Sequence, residues 1–335
     1  MRKHRIIILG AAAALFVLAA GSAAFIYYKT VSKEAAEKCR ILEERRTAWK
    51  SLEGRLQVDA ASCAGVIPGI IVVDLSTGWR IEVNPDRLFP SASLAKVPIM
   101  ASCFFAAAGN RLDLDKRIRL CRRDKVSGSG VIKNLPDGSV FSVNELMSIM
   151  ISRSDNTASN LLIGCLGQDY LNEAFRKLGL RNTNLARKMM DFTSRKQGRE
   201  NYTSARDIAF LLEEIYYGRL INREYSGQCL AMLKAQKIRD RIPADLPRDI
   251  QVAHKTGLEY GVCHDAGIVF MPEGDFLICV LTKHSYKNSY PAKRFIARIA
   301  GKIYEFYRTE ITRITPSSGA ARRAGTRQIT RLSAD

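Results

Sequence analysis

Histidine and closely paired cysteines, which often hold metals or redox centres, are scarce in this sequence. The 335 residues include four histidines, and none of the eight cysteines belongs to a C-x-x-C pair. His254, His264 and His284 match no tight spacing of metal ligands. We therefore expect neither a metal nor a cofactor, and the cysteine spacings predict no regular disulfide framework.

Acidic residues are also few, and a phosphate-binding loop is missing. The chain has 33 aspartates and glutamates against 52 lysines and arginines, a formal net charge of +19. Gly128 and Gly130 in "SGSGVI" lack the lysine that follows in a phosphate-binding loop, so nucleotide binding has no support. The positive charge favours an anionic partner, and charge alone does not choose between nucleic acid, acidic lipid and an anionic wall polymer.

Residues 1–29 narrow this choice. A basic N-terminus precedes an apolar run over residues 6–28, which is long enough to span a bilayer core of about 30 Å. We expect a signal-anchor. A cleaved signal is the alternative, because Ser22-Ala23-Ala24 offers small residues of the cleaved kind. Both interpretations export the rest of the chain, so we expect no nucleic-acid partner. The anchor predicts a single-pass protein of the cell membrane with an extracytoplasmic domain.

Residues 30–57 are charged and rich in helix-forming residues. Ala35, Leu42, Trp49 and Leu56 recur every seven residues, which predicts a helical stalk. A second apolar position in each heptad is missing, so we do not expect a long coiled coil.

Residues 58–310 combine strand patterns at both ends with helical patterns between them. "GIIVVDLSTGWRIEV" indicates a hairpin, and strand patterns return in "QVAHKTG", "HDAGIVFM" and "DFLICVLTKH". Helices are predicted near 143–152, 156–165, 170–178, 204–217 and 291–307, and a loop at 185–202. We expect an α/β fold, with an antiparallel sheet from both chain ends and an inserted helical subdomain. Residues 311–335 are basic and poor in apolar residues, which predicts a disordered tail.

The stretch "FPSASLAKVPIM" contains the first candidate for chemistry. Ser93 and Lys96 are three positions apart, so on a helix their side chains share one face. A serine hydroxyl becomes a strong nucleophile when a nearby base takes its proton, and burial lowers the pKa of a lysine towards that role. The pair alone is weak evidence, because about one S-x-x-K is expected by chance in a chain of this length.

Two further motifs give the pair its meaning. Ser154-Asp155-Asn156 stands at a break between two predicted helices, and Lys255-Thr256-Gly257 lies on a predicted strand. S-x-x-K, S-D-N and K-T-G together are the signature of class A β-lactamases and penicillin-binding proteins. The chain therefore resembles a serine enzyme of the class A β-lactamase group over about residues 52–307. The resemblance implies a sheet and a helical subdomain, with the active site at their junction.

The resemblance also implies a role for each motif residue. Ser93 is the expected nucleophile, Lys96 its proton acceptor or shuttle, and Ser154 the relay to the leaving ring nitrogen. The substrate is expected to bind through the amide of Asn156, the ammonium group of Lys255 and the hydroxyl of Thr256. Gly257 would let the substrate lie against the strand, and the N–H of Leu258 would be an oxyanion donor. Asp155 is expected to cap the local turn.

One residue departs from the family pattern. Enzymes of this group that turn over β-lactams quickly carry a glutamate shortly after an arginine, and the glutamate activates the water that releases the acyl group. In "LARKMMDFTSRK", if Arg187 matches that arginine, Met189 takes the place of the glutamate and Asp191 is the possible substitute. We therefore expect a β-lactamase-type hydrolase with fast acylation and slow release. Two alternatives stay open, a D-alanyl-D-alanine peptidase and a non-catalytic receptor for β-lactams or wall fragments.

Overall fold

The computed structural model describes residues 2–315, except for the side chains of residues 2–19 and 23. Many side chains of the predicted signal-anchor, and most of the predicted tail, therefore lie outside the described part. Among the residues searched within it, no helix is long and apolar enough to cross a membrane. The described chain divides into two compact units. The first unit comprises the residues up to Leu52 and those from Thr309 onwards, and the second unit comprises Glu53–Arg308.

Helices make up about half of the described residues. They are α1 (Arg2–Ser62), α2 (Lys96–Ala108), α3 (Val143–Ser152), α4 (Asn156–Leu166), α5 (Gln168–Lys177), α6 (Phe192–Lys196), α7 (Ala205–Tyr216), α8 (Arg223–Lys234), α9 (Tyr290–Phe306) and α10 (Thr312–Ile314). The predicted stalk lies within the continuous helix α1. Helical backbone reaches Ile314, past the predicted start of the tail, because a π-helical turn at Tyr307–Ile311 continues α9 into α10.

The strands lie at the two ends of the second unit and at the edges of its helical part. They are β1 (Val66–Asp74), β2 (Arg80–Val83), β3 (Phe89–Pro90), β4 (Arg117–Arg119), β5 (Val140–Ser142), β6 (Tyr202–Thr203), β7 (Val252–Glu259), β8 (Val262–Val269) and β9 (Phe276–His284). β2, β1, β9, β8 and β7 form an antiparallel five-stranded sheet in that order. The predicted sheet built from both chain ends is confirmed.

Turn chemistry fixes the first hairpin. The Asp74 carboxylate accepts hydrogen bonds from the backbone N–H groups of Ser76 and Thr77, at 2.9 and 3.0 Å. The Asp74 carboxylate thus takes the place of backbone hydrogen-bond partners in the turn, as aspartate commonly does.

β8 is buried along its whole length, which requires cover on both faces of the sheet. Both α7 and α9 contact it.

α2 is the central helix of the inserted helical part. It contacts α3, α4, α5, α7 and α8, and nearly all of its side chains are buried. The helix begins at Lys96, so a lysine stands at the first position of a helix whose other residues are mostly apolar. Nearby, α3 begins at a capping box, in which Ser142 Oγ accepts from the Glu145 N–H at 3.0 Å.

Candidate active site

Ser93 does not lie inside α2 but in the turn directly before it. It belongs to a 3₁₀ turn, Ala92–Ala95, that leads directly into the helix. Lys96 follows as the first residue of α2, and residues i and i+3 of a 3₁₀ helix eclipse each other. Ala92 has φ = +45°, an uncommon value for a residue with a side chain, and such strain concentrates at functional sites. Ser93 is half-buried and lines a cavity of about 260 Å³.

Lys96 is buried, with no exposed surface, and points at the S-D-N motif. Its Nζ donates to the backbone oxygen of Ser154 at 2.5 Å and to Asn156 Oδ1 at 2.8 Å, and lies 3.3 Å from Ser154 Oγ. Burial lowers the pKa of Lys96 to about 7, although the negative charge of Asp155 acts in the opposite direction. A neutral amine is therefore accessible at this position near neutral pH.

The S-D-N motif occupies the sharp break between α3 and α4. Ser154 adopts φ = +53°, which turns the chain between the two helices. Asp155 is the N-cap of α4 and accepts from the Ala158 N–H at 2.9 Å. Its second oxygen accepts from the N–H groups of Val131 and Ile132 at 2.6 and 2.9 Å. The predicted capping role is confirmed, and it extends to holding the 131–132 backbone against the motif.

Lys255 approaches the same serine from the sheet. Its Nζ donates to Ser154 Oγ at 2.9 Å and to the backbone oxygen of Thr256 at 2.9 Å. Burial, and then the charges of Lys96 and Arg241, lower its pKa well below the ordinary lysine range, while Asp265 opposes the shift. Ser154 Oγ thus lies between two buried amines that repel each other when both are charged.

β7 brings the K-T-G motif to a free sheet edge. It is the last strand of the five-stranded sheet, so part of its backbone N–H groups face away from β8. Leu258 lies on this edge and lines the cavity together with Ser93 and Asn156. A Cβ on Gly257 would lie 3.1 Å from His264 Cδ2 and 3.4 Å from Leu94 Cγ. Glycine therefore lets the strand pack closely beside the 3₁₀ turn.

Three predicted binding residues stand apart from the cavity lining. Lys255, Thr256 and Gly257 are buried beside the cavity, whereas Ser93, Asn156 and Leu258 line it. Thr256 is 3% exposed, and its backbone carbonyl accepts a hydrogen bond from Lys255 Nζ. The cavity therefore brings together Ser93, the amide of Asn156 and Leu258 on the edge strand. The amines of Lys96 and Lys255 are buried and do not line it.

Met189 occupies a rigidly held position in the cavity wall. Its N–H donates to Asn160 Oδ1 at 2.8 Å, and its carbonyl accepts from Asn160 Nδ2 at 3.0 Å. The thioether side chain is 7% exposed and lines the cavity with Ser93. Asp191, the possible substitute, is the N-cap of α6 and accepts from the N–H and hydroxyl of Ser194 at 2.9 and 2.7 Å. It is not among the cavity-lining residues of the described chain.

A group of four charged side chains next to the cavity was not predicted. Arg187 contacts Glu200 at 2.8 Å and Glu259 at 3.1 Å, and Arg195 contacts the same two carboxylates at 2.9 and 2.7 Å. Glu259 is the last residue of β7, so this ion cluster ties the loop at 185–201 to the strand. No short sequence motif indicates it, since the contact between Arg187 and Glu259 spans 72 residues.

His254 and His264 make structural contacts within the domain. His254 Nδ1 lies 2.9 Å from Asp265 Oδ1, and His264 Nε2 lies 2.8 Å from the Pro90 carbonyl. Burial lowers the pKa of His264 to about 4, so its ring is neutral. Within residues 2–315, no group of three or more histidine, cysteine, aspartate or glutamate side chains is arranged to hold a metal ion.

The arrangement has the parts that acyl transfer needs. Ser93, on a tight turn, lines a cavity; three residues further on, the buried amine of Lys96 has a lowered pKa, and the hydroxyl of Ser154 joins that amine to the amine of Lys255. The edge strand β7 and the first turn of a short helix, two places where backbone N–H groups lack partners within the element, border this cavity through Leu258 and Ser93.

Comparison with known proteins agrees with this geometry. Residues 51–307 match the family model described as the beta-lactamase enzyme family. A beta-lactamase of Streptomyces albus G is 30% identical over 236 residues, which cover 68% of this chain and 75% of that protein. The crystal structure of a beta-lactamase from Sphaerobacter thermophilus matches with a TM-score of 0.70 and 31% identity, covering 77% of this chain and 97% of that one. A mutant of PBP-A, in an acyl-enzyme complex with penicillin-G, matches with a TM-score of 0.71 and 27% identity, covering 77% and 97%.

Proposed function

The chain belongs to the beta-lactamase enzyme family, and from this we propose that it opens β-lactams through an acyl-enzyme on Ser93 and releases the acyl group slowly. One observation carries the proposal. Lys96 and Lys255 approach the same hydroxyl, Ser154 Oγ, at 3.3 and 2.9 Å, and Lys96 also holds Asn156, which lines one cavity with Ser93.

Acylation needs a proton path as well as a nucleophile. In the proposed step Ser93 Oγ attacks the lactam carbonyl carbon, and its proton passes to the neutral amine of Lys96. The carbonyl C–N bond then breaks, and the ring nitrogen takes a proton from Ser154 Oγ. The Lys96 ammonium returns its proton to Ser154 Oγ along the 3.3 Å contact, which restores both groups.

Binding of an acidic substrate would favour the reactive charge state. A substrate carboxylate near Lys255 stabilises the charged form of that lysine. The charged Lys255 repels a second positive charge nearby, so the neutral form of Lys96 is favoured at the same time. The substrate's own carboxylate thereby helps to make the base. Thr256 and Gly257 lie next to Lys255 on the strand, and we propose that the hydroxyl of Thr256 takes part in holding this carboxylate.

Charge on the carbonyl oxygen needs hydrogen-bond donors in the transition state. We propose the backbone N–H groups of Ser93 and Leu258 for this role. Ser93 lies in the first turn of a short helix, where N–H groups have no partner within the helix, and Leu258 lies on the free edge of β7. The amide of Asn156, whose Nδ2 also donates to the Ser127 carbonyl at 3.2 Å, would orient the substrate's side-chain carbonyl.

Slow release follows from the loop beside Ser93. Met189 lines the cavity with Ser93, and in this proposal it takes the place of the base that a hydrolytic water needs, because a thioether takes no proton at neutral pH. Loss of a positioned general base costs about 10² to 10⁴ in rate, or roughly 3–5 kcal/mol of barrier. The enzyme would then accumulate as the acylated form.

Burst kinetics test this function. A chromogenic β-lactam in excess should give a rapid burst of ring opening equal to the protein concentration, followed by slow turnover. Ser93→Ala should remove the burst, whereas Ser129→Ala, which changes another serine of the same cavity, should keep its amplitude. Fast linear turnover without a burst would contradict slow release, and an unchanged burst in Ser93→Ala would contradict the nucleophile.

A D-alanyl-D-alanine peptidase is the second candidate, and Met189 is the observation that favours it. Such an enzyme uses the three motifs without the glutamate that releases penicillin. Hydrolysis of a peptide ending in two D-alanines, faster than release of penicillin, would support this candidate. No cleavage of that peptide, together with a β-lactam burst, would leave the first function in place.

We also propose that residues 1–29 anchor the protein in the cell membrane with its enzyme domain outside. The support is the basic N-terminus followed by the apolar run over residues 6–28. The net charge of +19 suits contact with acidic headgroups or anionic wall polymers. Retention of the full chain in membranes after alkaline extraction, and its release when residues 1–29 are deleted, would agree. Release of the full chain would contradict anchoring.

A further inference from the structure

We propose that residues 116–125 form a docking surface for a linear phosphodiester polymer of the cell wall. We call this segment the basic ribbon. It lies outside the set of residues that carry out the proposed acyl transfer, and binding to it does not require Ser93 to react. In one respect the inference rests on the proposed function, because the proposed export of the domain selects a wall polymer over a nucleic acid with the same phosphate chemistry.

The basic ribbon is the densest run of positive charge in the sequence. Six of its ten residues are lysine or arginine, against one aspartate, and no other stretch of ten residues carries as many cations. Five of the six basic side chains are exposed, namely Lys116, Arg117, Arg119, Arg122 and Arg123. Such a concentration of charge attracts an anionic partner and repels a cationic one.

The fold directs the arginines of β4 towards the solvent. β4 pairs with β5, and Ile118 of β4 lies opposite Phe141 of β5. Both apolar side chains pack against the hydrophobic core. Because side chains alternate along a strand, Arg117 and Arg119 lie on the opposite face, about 7 Å apart along the chain. The two charges are therefore presented in a row on an extended backbone, which suits an extended partner.

Three arginines of the basic ribbon have no carboxylate partner. Among the side chains that the structure describes, Arg119, Arg122 and Arg123 form no ion pair. Asp124, the one acidic residue of the segment, accepts from the Cys121 N–H at 2.9 Å. A guanidinium group presents a planar fork of N–H donors that matches the geometry of a phosphate. Three such groups are thus available to a partner that carries several phosphates.

The paired cations of the basic ribbon differ in how firmly they are held. Arg117 contacts Glu145 at 3.2 Å, and the two side chains are 67% and 54% exposed. Exposed ion pairs of this kind are weak, so a phosphate can replace the carboxylate at little cost. Lys125 contacts Asp137 at 2.6 Å and also donates to the Leu135 carbonyl at 2.7 Å. We therefore expect Arg117, but not Lys125, to join the three unpaired arginines.

The surroundings of the basic ribbon favour a polymer over a bilayer surface. Residues 116–140 contain no phenylalanine, tryptophan or tyrosine. Aromatic side chains are the usual anchors of a protein at a membrane interface. The exposed apolar side chains in this range are aliphatic, namely Val131, Leu135 and Val140. A row of guanidinium groups without aromatic anchors fits phosphates presented along a chain.

The basic ribbon leads directly into one wall of the cavity that contains Ser93. The backbone carbonyls of Ser127 and Ser129 accept from the Asn156 side chain and N–H, at 3.2 and 3.0 Å. Ser129 also lines the cavity with Ser93. A polymer held on the basic ribbon would therefore lie near the cavity, without using any group that binds the reacting substrate.

The test measures binding of a fluorescently labelled glycerol phosphate oligomer to the full chain, by anisotropy at several salt concentrations. The ribbon variant combines Arg119→Gln, Arg122→Gln and Arg123→Gln. The control variant combines Arg55→Gln, Arg176→Gln and Arg248→Gln, which are exposed arginines elsewhere in the chain. Both variants lose three positive charges, so a difference between them reports position and not net charge.

Wild type should bind the oligomer and lose affinity as salt rises. The ribbon variant should bind about 10-fold or more weakly, and its slope of log affinity against log salt should be smaller by about 2, because each contacted phosphate of a single strand contributes about 0.7. The control variant should lose less than about 3-fold, through the smaller net charge alone. Equal midpoints of thermal unfolding will show that both variants are folded.

Four results would overturn this docking surface. They are no binding by wild type, equal losses in the two variants, equal affinity for the oligomer and for free glycerol phosphate, and tighter binding of single-stranded DNA with the same number of phosphates. A larger loss by the ribbon variant on phosphatidylglycerol vesicles than on the oligomer would assign the surface to a bilayer and overturn the polymer. Failure of the proposed function would look different, because β-lactams would then stay intact while the oligomer still bound.

Discussion

Met189→Glu should convert slow release of the acyl group into fast release. Asn160 holds the backbone of Met189 at both its N–H and its carbonyl, so a new side chain starts from a fixed position. The present side chain is 7% exposed and lines the cavity with Ser93. A glutamate there would place a carboxylate in the same cavity as the acylated serine, where it can activate water.

The expected gain follows from general-base catalysis. A positioned base contributes about 10² to 10⁴ in rate, so the acyl-enzyme lifetime should fall by that factor, or roughly 3–5 kcal/mol of barrier. Burial raises the pKa of a carboxyl group, which brings the new glutamate closer to the working pH of a base. The substitution also removes a buried thioether, and we expect about 1–3 kcal/mol of lost stability.

The assay follows the intact mass of the protein after a short exposure to penicillin and removal of the excess. Wild type should keep the adduct, and Met189→Glu should return to its unmodified mass much sooner. Met189→Gln is the matched control, because glutamine has a similar size and accepts no proton, and it should behave like wild type. Equal lifetimes for the Glu and Gln variants would refute the assignment of Met189 to the position of the missing base.

Three further outcomes follow from the contacts of the site. The acylation rate should rise with pH through about 7, since Lys96 accepts a proton only when neutral and burial lowers its pKa to that value; a flat profile from about pH 5.5 to pH 9 would contradict this role. Asp155→Ala should lower the free energy of unfolding by roughly 2–4 kcal/mol in urea titrations, because the carboxylate accepts three backbone N–H groups, and a loss below about 0.5 kcal/mol would show that these bonds matter little. Asp191→Asn should leave the acyl-enzyme lifetime unchanged, since Asp191 caps α6, and a several-fold longer lifetime would identify it as the base.

Elements with strong local signals were predictable from sequence. The hairpin around Ser76, the strand runs after residue 250 and most central helices lie where their periodicity places them. The family resemblance was confirmed because three short motifs in a fixed order are very specific together. Their residues meet in space because the start of α2, the break between α3 and α4 and the inner part of β7 come together, as the contacts of Ser154 Oγ with Lys96 and Lys255 show.

Two helices were missed for different physical reasons. α8 (Arg223–Lys234) has an N-cap, Asn222, which accepts from the Tyr225 N–H at 2.8 Å, but its polar composition weakens the periodic signal. α6 is five residues long and depends on its Asp191 cap and on the ion cluster, so local pattern could not reveal it. Ser93 was placed in an α-helix because a 3₁₀ turn and a first helical turn share the same spacing.

The parts of the site that sequence did not reveal depend on distant contacts. Glu259 directly follows Leu258, yet its partners are arginines 64 and 72 residues away. Met189, Phe192 and Leu258 likewise come to line one cavity only because the loop at 185–201 lies beside β7. Motif residues carry chemistry and can be found locally, whereas the residues that surround them are set by tertiary structure.

The most direct test of the account is the site and persistence of a penicillin adduct. Wild-type protein, Ser93→Ala and Ser129→Ala are exposed briefly to benzylpenicillin, and intact mass is followed by peptide mapping. We expect wild type and Ser129→Ala to gain the mass of one penicillin, located on the peptide that contains Ser93, and to keep it after the free drug is removed. Ser93→Ala should gain none. An adduct on any other residue, or a full adduct in Ser93→Ala, would contradict the central claim that Ser93 is the acylated nucleophile.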